Sequence, residues 1–174
     1  MNKQELAKES VGAIKGVLAR LPAGSFQILS EQWEKELEQG DDYSILWELK
    51  LAPLNPNACP VSVWVSSDED HDLKYGLLFD SWEGVGKRLD LRVSMRKCPV
   101  GAFGTESTYM SLDTVLKILT SVFQGRVILR YIPIGRMLVD TAGEVAIGDG
   151  TERFGGGILL SYFDGEKFQY ESWS

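Results

Sequence analysis

The sequence predicts an α+β fold: an antiparallel β-meander, extended by later strands and a C-terminal hairpin, with two longer amphipathic helices packed on it. Three observations predict it. Between Tyr43 and Lys97, four successive stretches put apolar side chains on odd-numbered positions, including Trp47, Leu49 and Leu51, then Val61, Val63 and Val65, then Leu73, Tyr75 and Leu77, then Leu89, Leu91 and Val93. Strand side chains alternate faces with a period of two, so each stretch has one apolar face and one wetter face. Two segments, residues 3–21 and 112–124, carry apolar residues at helical spacing instead. Finally, Asp164-Gly165 between two apolar runs is a strong short hairpin signal.

In order along the chain, residues 3–21 read as a helix capped by Asn2, with Leu6, Ile14, Val17, Leu18 and Leu21 on one stripe, ended by Pro22-Ala23-Gly24. Gly12 and Gly16 share a face on which close packing against the sheet is expected. Ser25–Leu29 reads as a short strand. Ser30–Gln39 reads as a short acidic helix, capped by Ser30, with Trp33 and Leu37 at i, i+4 and Gly40 as its stop.

The four meander strands follow at Tyr43–Leu51, Val61–Ser66, Leu73–Asp80 and Arg88–Lys97. A proline-rich connection (Ala52–Pro60), an acidic turn (residues 67–72) and Ser81–Lys87 join them. Pro99–Met110 is a loop, and Ser111 caps the strongest helix, with Leu112, Val115, Leu116, Leu119, Val122 and Phe123 on one wide stripe and Gly125 after it. Arg126–Ile132 is a strand broken by Pro133 and resumed over Arg136–Asp140. Residues 141–157 read as a glycine-rich loop, and the chain ends in a hairpin of Ile158–Phe163 and Glu166–Trp173.

The 174 residues, 44% of them hydrophobic, suit a single domain, residues 1–174, with a sizeable core. No apolar run reaches the roughly 20 residues that a spanning helix needs, and the polar start MNKQELAKES has no apolar leader segment. A cytoplasmic protein is the expectation, without membrane partners. The net charge of −7 argues against nucleic acid as a partner, because Lys and Arg supply most affinity for phosphate backbones. It suits a basic protein partner, and it also suits plain solubility.

Few residues offer chemistry. The single histidine, His71, sits among acids in a turn, and no G-x-S-x-G elbow or nucleotide fingerprint occurs. Cys59 and Cys98 fall at opposite ends of the expected sheet, too far apart for a disulfide, so free thiols are expected. The expectation is no catalytic residue, no metal and no cofactor. Asp68, Glu69, Asp70 and Asp72 form an acidic turn that suits solvation first, a basic partner second and a divalent cation third. On the even face of the meander, Leu46, Trp64 and Leu78 interrupt the polar positions, with Arg92 expected one strand beyond. Trp64 there either lies over a cross-strand glycine as local support or is buried under another element. Alternatively it belongs to an exposed Trp/Leu/Arg interface. The partner-binding candidates are therefore Trp64, Leu46, Leu78, Arg92, Asp68, Glu69, Asp70 and Asp72.

The small, acidic α+β character is similar in general terms to bacterial immunity proteins, which neutralise toxin domains. The order of helix, strands, helix and strands resembles type III secretion chaperones. Neither likeness rests on a residue motif, so neither carries functional residues onto this chain. The first functional reading is a non-catalytic protein-binding protein, an immunity- or antitoxin-type inhibitor of a basic effector. The alternatives are a dimeric secretion-type chaperone and an enzyme whose residues converge only in three dimensions.

Overall fold

The computed structural model describes residues 3–35, 44–67, 72–93, 110–155 and 157–174. Helix α1 (Lys3–Leu18) buries Ala7, Ser10, Val11, Ile14 and Leu18, the one-sided spacing that an amphipathic helix requires. Its Gly12 and Gly16 face open space rather than the sheet, so the expectation of close packing there is corrected. The Ser10 hydroxyl and the Tyr75 hydroxyl are 2.8 Å apart and tie the helix to the sheet below.

That sheet is a four-stranded antiparallel meander in the order β1 (Phe26–Lys35), β2 (Ser44–Pro53), β3 (Val61–Ser67), β4 (Leu73–Leu78). The α+β class and the meander agree with the sequence, but its membership is shifted by one strand. The expected helix over Ser30–Gln39 is instead strand as far as Lys35, pairing with β2 from Phe26↔Pro53 to Lys35↔Ile45. An irregularity between Ile28 and Ser30 reverses the side-chain alternation, so Ile28, Glu31 and Trp33 all stand opposite the odd-numbered β2 residues Leu51, Leu49 and Trp47. Trp47 is fully buried and its ring packs against that of Trp33, 6.3 Å between centroids. These cross-strand contacts outweigh a marginal helical pattern of one cap and one i, i+4 pair.

The expected fourth strand, Arg88–Lys97, is the second correction. Helix α2 (Trp82–Leu89) occupies its first part, and only β5 (Arg92–Val93) is strand among the described residues. Ser81 caps α2 by accepting from the Gly84 N–H at 3.0 Å, and Asp90 closes it in a left-handed conformation with φ 52°.

Helix α3 (Leu112–Phe123) appears as read, capped by Ser111. Behind it lies a second sheet, in which β5, β7 (Met137–Ile147), β6 (Val127–Ile134) and β9 (Glu166–Gln169) are neighbours and β8 (Gly150–Gly155) pairs with β7. Pro133 bulges β6 rather than ending it. Residues 141–155, expected to be loop, extend β7 and form β8, with Gly148-Asp149 as a two-residue turn in which Gly148 has φ 57°. The C-terminal arm Ile158–Phe163 is the last correction: it holds a short helix, α4 (Ile158–Tyr162), so Asp164-Gly165 joins a helix to β9 and closes no hairpin. Buried Asp140 on β7 explains it, accepting from the Gly157 N–H at 2.7 Å and the Leu160 N–H at 2.9 Å at the helix start.

The core lies between the two sheets. The meander's odd face contributes Trp47, Leu49, Leu51, Val61, Val63, Val65 and Leu77, α1 and α3 their stripes, and the second sheet Val127, Leu129, Leu138 and Val145. Trp173 closes one end, its ring 4.6 Å from Phe123 and its indole N–H donating to the Cys59 carbonyl at 3.0 Å.

Candidate functional site

On the meander's outer face, Trp64 pairs with Glu48 on β2, as its spacing predicts, and with Gly76 on β4, one of the two neighbours, Lys74 and Gly76, that the spacing allows. Its indole lies over Gly76, where a Cβ would overlap the ring. Trp64 and Leu78 are both half-buried on this face. The other two candidates separate from them. Leu46 falls at a bulge between Ile45 and Trp47 and packs against the buried core. Arg92 stands in the second sheet and not one strand beyond Trp64. Asp72 is exposed at the entry to β4, while Asp68, Glu69, Asp70, His71 and Cys98 lie outside the described residues.

The site that sequence reasoning missed is the edge of the same sheet. β1 ends the strand order, and among the described residues no strand pairs with its far side. The opposite edge is different, because Tyr75 on β4 bridges to Met110. Ile28, Leu29 and Trp33 on β1 are 53%, 60% and 43% exposed, and Leu54 just beyond the end of β2 is 57% exposed. Unpaired backbone N–H and C=O groups beside large apolar side chains are what an added strand recognises. At the middle of this edge, Glu31 pairs with Lys15 at 2.6 Å and accepts from the Trp47 indole N–H at 3.0 Å. Those two hydrogen bonds hold its carboxyl below the ordinary range and keep it anionic. The signal in the sequence was Trp33 with Leu29 and Ile28, masked by the apparent Ser30 cap.

A buried polar group joins the two sheets. Asp80 Oδ2 accepts from Arg88 Nη2 at 2.9 Å, Arg88 Nε at 3.2 Å and the Tyr170 hydroxyl at 3.1 Å. Arg88 also donates to the Pro56 carbonyl and lies over the Tyr170 ring, 5.1 Å from its centroid. Burial opposes the charge on Arg88, but Asp80 more than offsets this and the guanidinium pKa is raised. Burial likewise pushes the Tyr170 phenol up, as Asp80 also does. Next to this group Cys59 is free and fully buried, and burial followed by Asp80 drives its thiol pKa upward. A thiol held protonated is a poor nucleophile, so this cluster reads as structural.

Among the described residues, no three His, Cys, Asp or Glu side chains converge on a point that could hold a metal ion. No described helix is long and apolar enough to cross a membrane. No protein-family model, curated protein or solved structure matches the chain.

Proposed function

We propose that the chain is a non-catalytic protein-binding protein of the immunity or antitoxin type, taking a basic effector domain on the open β1 edge of its meander. The observation that carries this reading is the run of exposed Ile28, Leu29 and Trp33 on a ten-residue edge strand that has no outer neighbour among the described residues. Monomeric proteins usually blunt such edges with charge, proline or brevity. The net charge of −7 favours a basic partner by long-range attraction, and the apolar side chains supply the short-range contact. Trp64 and Leu78 lie on the outer face of the same sheet, and Asp72 at the start of β4 lies at the edge opposite β1, so none of the three is needed for this contact.

The test is affinity capture from the source cell with the wild-type chain and with Leu29→Lys and Trp33→Lys. The expected result is one stoichiometric basic protein, held by wild type and released by both variants. An acidic captured protein, or retention by both variants, would overturn the assignment. Light scattering separates the chaperone alternative, which requires a dimer.

A further inference from the structure

On the other sheet, α2, β5 and the turn between β6 and β7 line an open cleft of about 360 Å³. Small-molecule sites begin at roughly this size. Three cations from three elements line it: Lys87 from the last turn of α2, Arg92 from β5 and Arg136 from the turn. Among the described residues none of the three side chains has an ion pair or hydrogen bond, whereas Arg88 and Arg130 are each paired with a carboxylate. We propose that this cleft binds a small multivalent oxyanion of the phosphate class.

The backbone holds the three cations in place. The Arg92 N–H donates to the Arg136 carbonyl at 2.7 Å, and β5 runs parallel to β7 with Arg92 opposite Met137. Arg136 follows Gly135, whose φ of 58° makes the tight turn. Gly86 lets the end of α2 sit against β5, since a Cβ there would come within 2.6 Å of Val93 Cγ2 and 2.9 Å of the Leu91 carbonyl oxygen. A helix C-terminus ordinarily repels anions. Here the Asp90 N–H is bonded to the Gly86 and Lys87 carbonyls and the Leu91 N–H to that of Gly86, so these carbonyls are already satisfied.

The charge count sets the ligand class. Glu83 and Asp90 line the same cleft, reducing three positive charges to a net of one, yet neither forms an ion pair with the cations. An exposed pair contributes little by itself, so a monoanion gains little from any one contact. An oxyanion with several charges can engage both guanidiniums through their forked donors and the lysine as a point charge. Asp90 adopts a left-handed conformation at the negative end of a helix, two local costs for one residue. Its carboxylate opposes binding, so neutralising it should help.

The experiment titrates inorganic pyrophosphate into the full chain at constant ionic strength, reading backbone amide shifts by NMR. Saturable shifts are expected at Lys87, Arg92 and Arg136. Arg136→Gln, on an exposed turn, should weaken binding about tenfold, the scale of a charge-assisted hydrogen bond. Asp90→Asn, which keeps a residue type tolerant of left-handed φ, should tighten it. Arg126→Gln, outside the cleft, should leave it unchanged. Absence of saturation, or equal loss in Arg126→Gln and Arg136→Gln, would reject the site in favour of diffuse ion attraction.

Discussion

The Trp64 indole on β3 lies across Gly76 on β4, occupying the space that a Cβ at position 76 would need. The pair is therefore coupled: one residue has no side chain because the other needs the room. Gly76→Ala should cost about 1–3 kcal/mol through overpacking. Trp64→Ala should cost about 1 kcal/mol from lost cross-strand contact. The double substitution should cost clearly less than the sum of the two, as expected for residues sharing one space. Trp47→Ala, in the core on the opposite face, should cost about 3–5 kcal/mol. Urea melts of the four variants check this; strict additivity of the 64/76 pair would contradict the coupling.

The Asp80–Arg88–Tyr170 group links the end of β4, α2 and the C-terminal segment. Arg88→Ala would leave the Asp80 carboxylate buried with the Tyr170 hydroxyl as its remaining donor among these contacts. Removing one partner of a buried pair typically costs about 3–5 kcal/mol. Tyr170→Phe removes one hydrogen bond while the ion pair stays, and should cost about 1–3 kcal/mol. Thermal or denaturant unfolding gives the order directly. If Tyr170→Phe were as damaging as Arg88→Ala, the ion pair would not be the dominant contact.

Glu31 gives the fold a pH dependence of known sign. Its carboxyl is held below the ordinary glutamate value of 4.5 by hydrogen bonds from Lys15 and Trp47. A lowered folded-state pKa adds stability above the unfolded value, and that stability is lost as pH falls through the folded value. Wild type should therefore exceed Glu31→Gln in stability at neutral pH. The gap should close on acidification below about pH 4.5, as the carboxylate is protonated in both states. Lys15 is half exposed, which keeps the effect small. Denaturation midpoints of both proteins across that range test it, and a constant gap would remove Glu31 from the acid response.

Asp140 is the reason that α4 is a helix. Its carboxylate takes the backbone N–H groups of Thr141, Gly157 and Leu160. Asp140→Ala should unwind α4 locally, with the Leu160 amide losing hydrogen-exchange protection before the meander does. Unchanged protection at Leu160 would show that the sheet contacts alone hold the helix.

Where the pattern was long and one-sided, sequence and structure agree. α1 and α3 carry full amphipathic stripes, and the odd positions Trp47 to Leu51 of β2 and Val61 to Val65 of β3 are buried as read, because burial of one face is imposed by each element's own period. The Glu48 neighbour of Trp64 followed from that register, which allowed either Lys74 or Gly76 on the other side; the structure pairs it with Gly76. The turn at Gly148-Asp149 is written in local residues, whereas Asp164-Gly165, expected to close a hairpin, joins α4 to β9 instead. Ser81–Lys87, expected as a connection, begins a helix capped by Ser81, with Glu83 in the first turn and Lys87 and Arg88 in the last.

The rest was decided by partners distant in sequence. Phe26–Lys35 is strand because β2 offers Trp47 and an edge, with Lys15 supplying a charge partner for Glu31. Ile158–Tyr162 is helix because Asp140, from another strand, caps it. Arg92 left the meander for the second sheet because its backbone pairs with the β6–β7 turn, and there it meets Arg136. In each case the local preference is worth a few tenths to about 1 kcal/mol. Burying one large side chain, or satisfying a carboxylate inside the fold, is worth more. Periodicity thus determined which faces are apolar. Which faces meet, and so where the open edge and the cationic cleft lie, depended on contacts that no local window contains.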